Sequence, residues 1–144
     1  MPSASRTITI NRPIADVFAF VAEGENGPKW RSAHIDIRHE SGQSVGAIYR
    51  QTVPGPGGRQ VAADYEVTAW QAPNRMAFEA IAGPVRPTGE YVLESAGEGA
   101  TKLTFSLEAQ IGGWKRLLMG GAVQKTMDAE MAALDRLKAV LEAS

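Results

Sequence analysis

The sequence predicts an α+β fold: a seven-stranded antiparallel sheet and a long C-terminal helix, in the order β-α(-α)-β6-α. Two observations carry this expectation. Between residues 33 and 109, apolar and polar residues alternate with period two in short runs separated by Gly- and Pro-rich turns. That is the pattern of antiparallel strands with one wet face. On either side lie segments whose apolar residues recur at spacings of three and four, the period of a helix face. Parallel strands would each need a crossover helix, for which the runs leave no room.

The elements follow in order. Residues 7–11 form the first strand. Arg12-Pro13 opens the first helix, with Pro at an early position where its missing N–H matters little. Ile14, Val17, Phe18 and Val21 give that helix one apolar face, and the Gly24 to Pro28 cluster stops it. Alternation then marks strands at 34–38, 47–53, 61–69, 76–80, 91–94 and 103–107, with turns at 54–58, 72–74, 83–87 and 97–99. The closing helix spans 114–141. At ~1.5 Å per residue it reaches about 40 Å, long enough to cover the apolar face of the whole sheet.

Composition narrows the function classes. A chain of 144 residues is expected to form one domain, 1–144. Fifteen Lys and Arg against sixteen Asp and Glu leave a net charge of −1, with no global field to attract nucleic acid or an anionic membrane. There are no cysteines, which removes disulfides, zinc ribbons, iron–sulfur clusters and cysteine nucleophiles. The longest apolar run, 17–22, is too short for a membrane span, and the N-terminus does not read as a signal peptide. The expected location is cytoplasmic.

Several motifs, taken in order and spacing, resemble a known family. They are ITINRPIADVFAFVA at 8–22, ENGPKW at 25–30, SVGAIYRQTV at 44–53, YEVTAW at 65–70, AGPVRPTGEY at 82–91, GATKLTFSLEA at 99–109 and AALDRLKAVLE at 132–142. The chain resembles the polyketide cyclase/dehydrase group of the SRPBCC superfamily over nearly its whole length. The resemblance implies the helix-grip fold shared with the birch-pollen allergen and the START lipid-transfer domains. It also implies a cavity between the concave sheet and the last helix, where hydrophobic or amphipathic small molecules bind.

The apolar phase of each strand is expected to face that cavity. It comprises Ile35, Ile37, Ala47, Tyr49, Gln51, Val53, Val61, Ala63, Tyr65, Val67, Ala69, Met76, Phe78, Ala80, Tyr91, Leu93, Leu103, Phe105 and Leu107. All three tyrosines lie in it, each an apolar ring with one hydroxyl to orient a ligand, or simply a good sheet packer. Gln51 is the one inward amide and needs a tyrosine, water or ligand as partner, unless it lies at a solvated strand end. No charged residue or histidine shares this phase, which argues against ordinary acid–base catalysis. Catalysis would instead rest on folding a flexible substrate and polarising its carbonyls.

Other features compete with this site. His34 and Asp36 share a strand face, while His39 falls on the opposite one, so no metal is expected. PGPGGR at 54–59 opens no helix and reads as a hairpin turn. Trp30 either packs on the first helix or rims the cavity, and the resemblance points to the rim; Trp70 sits in the polar phase. In the last helix, Val123, Met127, Met131, Leu134, Leu137 and Leu141 share a face. Trp114, Leu117 and Leu118 fall nearly opposite, with the phase changing at Gly120-Gly121. A bend or break there would return Leu117 and Leu118 to the sheet; a straight helix would leave them as an exposed patch.

The expected ligand site is therefore Trp30, Tyr49, Gln51, Tyr65, Phe78, Tyr91, Leu93, Phe105, Leu117, Met127 and Met131, with no cofactor, no metal and no assigned catalytic residue. The first reading is a carrier or binding protein for a small hydrophobic or amphipathic ligand, aromatic, polyketide-like or lipid-like. The second is a cyclase or dehydratase that uses the cavity tyrosines. The third is a protein-interaction module without a ligand. Nucleic acid and stable membrane insertion are not expected, and the chain is expected to be a monomer or homodimer.

Overall fold

The protein is described by a computed structural model covering residues 2–32, 34–55, 58–83, 85–111 and 113–143, with the backbone alone for 113–119. Strand β1 (Ser3–Ile10) leads into helix α1 (Ile14–Ala22), a 3-10 turn (Gly24–Asn26) and the short helix α2 (Gly27–Trp30). Strands β2 (Asp36–Ser41), β3 (Ile48–Pro54), β4 (Gln60–Ala62), β5 (Tyr65–Gln71), β6 (Arg75–Ala80), β7 (Thr88–Ser95) and β8 (Thr101–Glu108) follow. Helices α3 (Gly113–Ala132) and α4 (Leu134–Glu142) close the chain.

The strands form one antiparallel sheet in the order β1-β8-β7-β6-β5-β3-β2, with β4 paired to β3. The sheet thus has eight strands where period-two reading expects seven. The run expected at 61–69 divides into β4 and β5 because Asp64 turns its carboxylate onto β3. It accepts from the Gln51 backbone N–H and from Arg50, each at 2.9 Å. A side chain there replaces a strand partner and ends the ladder.

Two β-bulges bend the sheet, one between His39 and Ser41 and one between Val67 and Ala69. The second corrects the expected phase. An extra residue in β5 sends Ala69 to the outer face opposite Ala77, and brings Trp70 inward opposite Met76. The Trp70 ring then meets Phe18 of α1 edge-on, with centroids 5.2 Å apart.

The concave face carries the core. Val67, Met76, Leu93, Leu103 and Phe105 from the sheet are buried against Val17 and Val21 of α1 and Met127, Met131, Leu134, Leu137 and Leu141 of the last helices. Each such side chain contributes about 1.5–3 kcal/mol by leaving water. Gly89 keeps the face open at one point: a Cβ there would run into the Phe78 ring.

The free edge of β1 is held by the last helices through side chains. Gln124 both accepts from the Ser3 N–H (3.2 Å) and donates to the Ser3 carbonyl (2.8 Å). Lys138 donates to the Thr9 carbonyl at 2.7 Å, and Glu142 accepts from the Asn11 N–H at 2.7 Å. An exposed strand edge is thereby occupied by side chains of the same chain.

The expected break at Gly120-Gly121 is not there. Helix α3 runs unbroken through both glycines, and the interruption lies at Ala133. Arg6 of β1 explains its position. Its guanidinium donates to the Met131 carbonyl (3.1 Å) and to Asp135 (2.6 Å), inserting a side chain where the helical ladder would continue. The expected placements of Trp114, Leu117 and Leu118 fall on side chains outside the described residues.

A Cβ added at Gly121 would meet nothing within 4 Å. Gly121→Ala is therefore expected to stabilise the protein by about 1 kcal/mol through helix propensity alone. A rise in the urea unfolding midpoint at unchanged m-value checks this.

Candidate functional site

Cross-strand register assembles the site. Tyr49 of β3 sits opposite Tyr65 of β5, and Tyr91 of β7 opposite Phe105 of β8. The rings form a continuous row across the concave face. His39 stacks on Tyr49 (4.5 Å), Tyr49 on Tyr65 (5.0 Å), and Tyr91 on Phe105 (4.5 Å). Phe78 bridges the two halves, 5.1 Å from Tyr65 and 6.3 Å from Tyr91. Trp30 closes the row edge-on against Phe105 at 6.5 Å. All three tyrosines are thus on one face, as their common phase predicts.

The face is not free of histidine or charge, however: His39, in the phase of Ile37, lies on it against Tyr49, contrary to the expectation that no histidine shares this phase. Arg31 follows α2 and reaches under α3, where its Nε and Nη2 donate to the two carboxylate oxygens of Glu130, both at 2.9 Å. Its Nη1 donates to Gln51 Oε1 at 2.8 Å. The two charged side chains are only 16% and 18% exposed, so water screens them little. Gln51 is thereby satisfied by protein, its Nε2 donating to the Ala63 carbonyl at 3.0 Å. Sequence reasoning missed both charges because it read phase only along strands. Glu130 lies three residues after Met127 and four before Leu134, inside the apolar stripe of the helix, and that spacing was the available signal.

Glu23 adds a second carboxylate, accepting from the Tyr49 hydroxyl at 3.0 Å. Gly24 beside it is required by close approach, since a Cβ there would collide with the Tyr65 hydroxyl. The Tyr65 and Tyr91 hydroxyls lie near Arg31 and hydrogen-bond to no described residue. Burial pushes all three phenols up from their usual pKa. The hydrogen bond to Glu23 adds to this at Tyr49, and the neighbouring Tyr91 adds to it at Tyr65. Burial pulls Arg31 down, but the charge and hydrogen bonds of Glu130 outweigh it and leave the guanidinium above its ordinary value.

The remaining expected residues divide. Trp30 is 2% exposed and packs in the core, not at a rim. Leu93, Met127 and Met131 are buried in the same core cluster, and Phe78 is half-buried on its edge. Leu117 lies outside the described side chains. A cleft of about 670 Å³ lies on the outer face of the sheet, lined by Ser5, Arg75, Ala77, Glu79, Glu90 and Ser106, and another of about 510 Å³ lies between α1 and Leu141, so neither opens on the tyrosine row. His34 sits in a turn before β2 and His39 stacks on Tyr49, so the two histidines and Asp36 do not converge. No group of three His, Asp or Glu poised for a metal occurs among the described residues. Among them, too, no helix is long and apolar enough to cross a membrane.

A family model described as polyketide cyclase / dehydrase and lipid transport matches residues 1–142. The chain belongs to that family. Curated protein sequences give no match. Among solved structures, the cyclase/dehydrase-family chain is similar to TTHA0849 from Thermus thermophilus, at 21% identity and TM-score 0.80, covering 99% of each chain. It is similar to a START superfamily protein from Mycobacterium smegmatis at 15% identity and TM-score 0.76, covering 98% of this chain and 97% of that one. It is also similar to the Zhui aromatase/cyclase from Streptomyces sp. R1128, at 13% identity and TM-score 0.71, covering 96% and 94%. At these identities the likenesses establish the helix-grip fold of this cyclase/dehydrase-family chain.

Two measurements test the site. The chain has three tyrosines, all in the aromatic row, so phenolate absorbance reads the site alone. Raised phenol pKa values mean that the folded protein keeps its protons to higher pH than the unfolded chain. Stability from this source is full below pH ~10 and is lost as pH rises further. Absorbance at 295 nm is expected to stay flat past pH 10 and to rise only with loss of circular dichroism. Second, Arg31→Met alone strands the Glu130 charge and is expected to cost about 3 kcal/mol. Adding Glu130→Leu is expected to recover most of that in a chemical denaturation double-mutant cycle.

Proposed function

We propose that the chain binds a small amphipathic ligand of aromatic or polyketide-like shape on the concave face, as a carrier or binding protein. One observation supports this above the others. The hydroxyls of Tyr65 and Tyr91 lie on the concave face beside a buried guanidinium, with no hydrogen-bond partner among the described residues. No buried side-chain nitrogen or oxygen among the described residues lacks a partner, so these two hydroxyls are not sealed off and a ligand carbonyl or hydroxyl can reach them.

A second reading, a cyclase or dehydratase without metal or cofactor, is favoured by Arg31. A guanidinium and two phenols around one point polarise a carbonyl, and a low-dielectric setting strengthens the effect. Some structural neighbours are aromatase/cyclases by description, among them the di-domain ARO/CYC StfQ, with which this chain shares 13% identity and a TM-score of 0.74 over half of that protein. The whole-chain family assignment includes both cyclases and lipid carriers, so turnover separates the readings.

The test is a titration with a hydroxylated anthraquinone, followed by tryptophan fluorescence, since Trp30 sits against Phe105 in the row. The wild type is expected to bind, and the double variant Tyr65→Phe/Tyr91→Phe to bind about tenfold more weakly at similar thermal stability. Unchanged affinity in the double variant would count against the reading. Mass spectrometry of the recovered ligand distinguishes carrier, which returns it intact, from cyclase.

A further inference from the structure

We infer that the site selects its ligand by charge, accepting a neutral phenol or ketone head and excluding the carboxylate of an otherwise identical molecule, and that Glu130 sets this choice. The inference rests on the binding reading above and names its ligand class. Arginine recognises a carboxylate through a two-pronged fork. In this protein one such fork, Nε with Nη2, is already filled by the two oxygens of Glu130. One N–H of Nη1 is taken by Gln51. Three of its five N–H groups are thus taken, and a ligand arriving at the tyrosine row meets the one left on each Nη and the phenol O–H groups, which suit a carbonyl or hydroxyl oxygen.

Charge balance points the same way. The groups acting on Tyr65 and Tyr91 include one cation, Arg31, and two carboxylates, Glu130 from α3 and Glu23 from the end of α1. A buried ligand carboxylate would enter surroundings that already carry more negative than positive charge, with its own hydration removed. A neutral head meets no such penalty. The tyrosines themselves are protonated donors at neutral pH, as any phenol is, and burial only raises their pKa further. Glu130 touches Arg31 and acts on the ligand through it, so it is a positioning and specificity residue and not a catalytic one.

The test uses 2-naphthol and 2-naphthoate, which share a ring system and differ in charge at pH 7. Isothermal titration of the wild type is expected to show 2-naphthol binding at least roughly tenfold tighter than 2-naphthoate. In Glu130→Gln the guanidinium fork loses its internal anion, and 2-naphthoate is expected to gain about tenfold while 2-naphthol changes little. Should this variant fail to fold, the wild-type ratio decides the matter, repeated with 2-naphthylmethanol against 2-naphthylacetate. Wild-type binding of both probes with equal affinity, or an unchanged ratio in a folded Glu130→Gln, overturns the charge selection and leaves the binding site standing. Binding of neither probe overturns the site and the selection together.

Discussion

Arg31 and Glu130 meet through two parallel hydrogen bonds beneath the C-terminal helix, and the layout of the concave face follows from that contact. A guanidinium with so little water around it needs a counter-charge in place. The pair therefore ties the segment after α2 to the last turn of α3 and fixes how closely the helix approaches the sheet there. Gln51, held by the same guanidinium, anchors β3 to the arrangement. The tyrosines then stand around a charged centre that burial makes strong and neutralisation makes tolerable.

Much of the architecture is legible from residue order. Period-two alternation places Tyr49, Tyr65 and Tyr91 on one face because side chains on a strand have no other choice. The misreadings occur where a local interaction changes the count. The bulge at Val67/Ala69 inverts the phase of Trp70, and the Asp64 carboxylate divides one expected strand into two. At the helix, the glycine pair drew attention through its intrinsic cost. The interruption instead forms where Arg6, distant in sequence, takes the Met131 carbonyl. Propensity is local, and this break is tertiary.

The site was less legible than the fold for a related reason. Its apolar members lie on strands, whose faces can be read residue by residue. Its charged members lie on a loop and a helix, where a single ionic residue among apolar ones looks like surface until its partner is known. Gln51 was the residue that asked for such a partner: an inward amide requires one, and it proved to be a guanidinium rather than a phenol. Trp30 shows the opposite error, since a bulky ring near a turn reads as a rim when it is core.

The pairing of β1 with β8 bears on how the protein is made. Ser5 and Ser106 face each other across 101 residues of chain. At a synthesis rate of about 5–20 residues per second, β1 waits several seconds for its neighbour to emerge. Throughout that time Ile8 and Ile10 lack the β8 side chains and helices that shield them in the finished fold. Such long-range closure makes folding slow and leaves the first strand open to capture by another nascent chain. The Gln124, Lys138 and Glu142 contacts that later hold β1 come from helices that follow β8 in the chain. Strand β1 is thus made long before β8 and the helices that secure it, so chaperone demand should concentrate there.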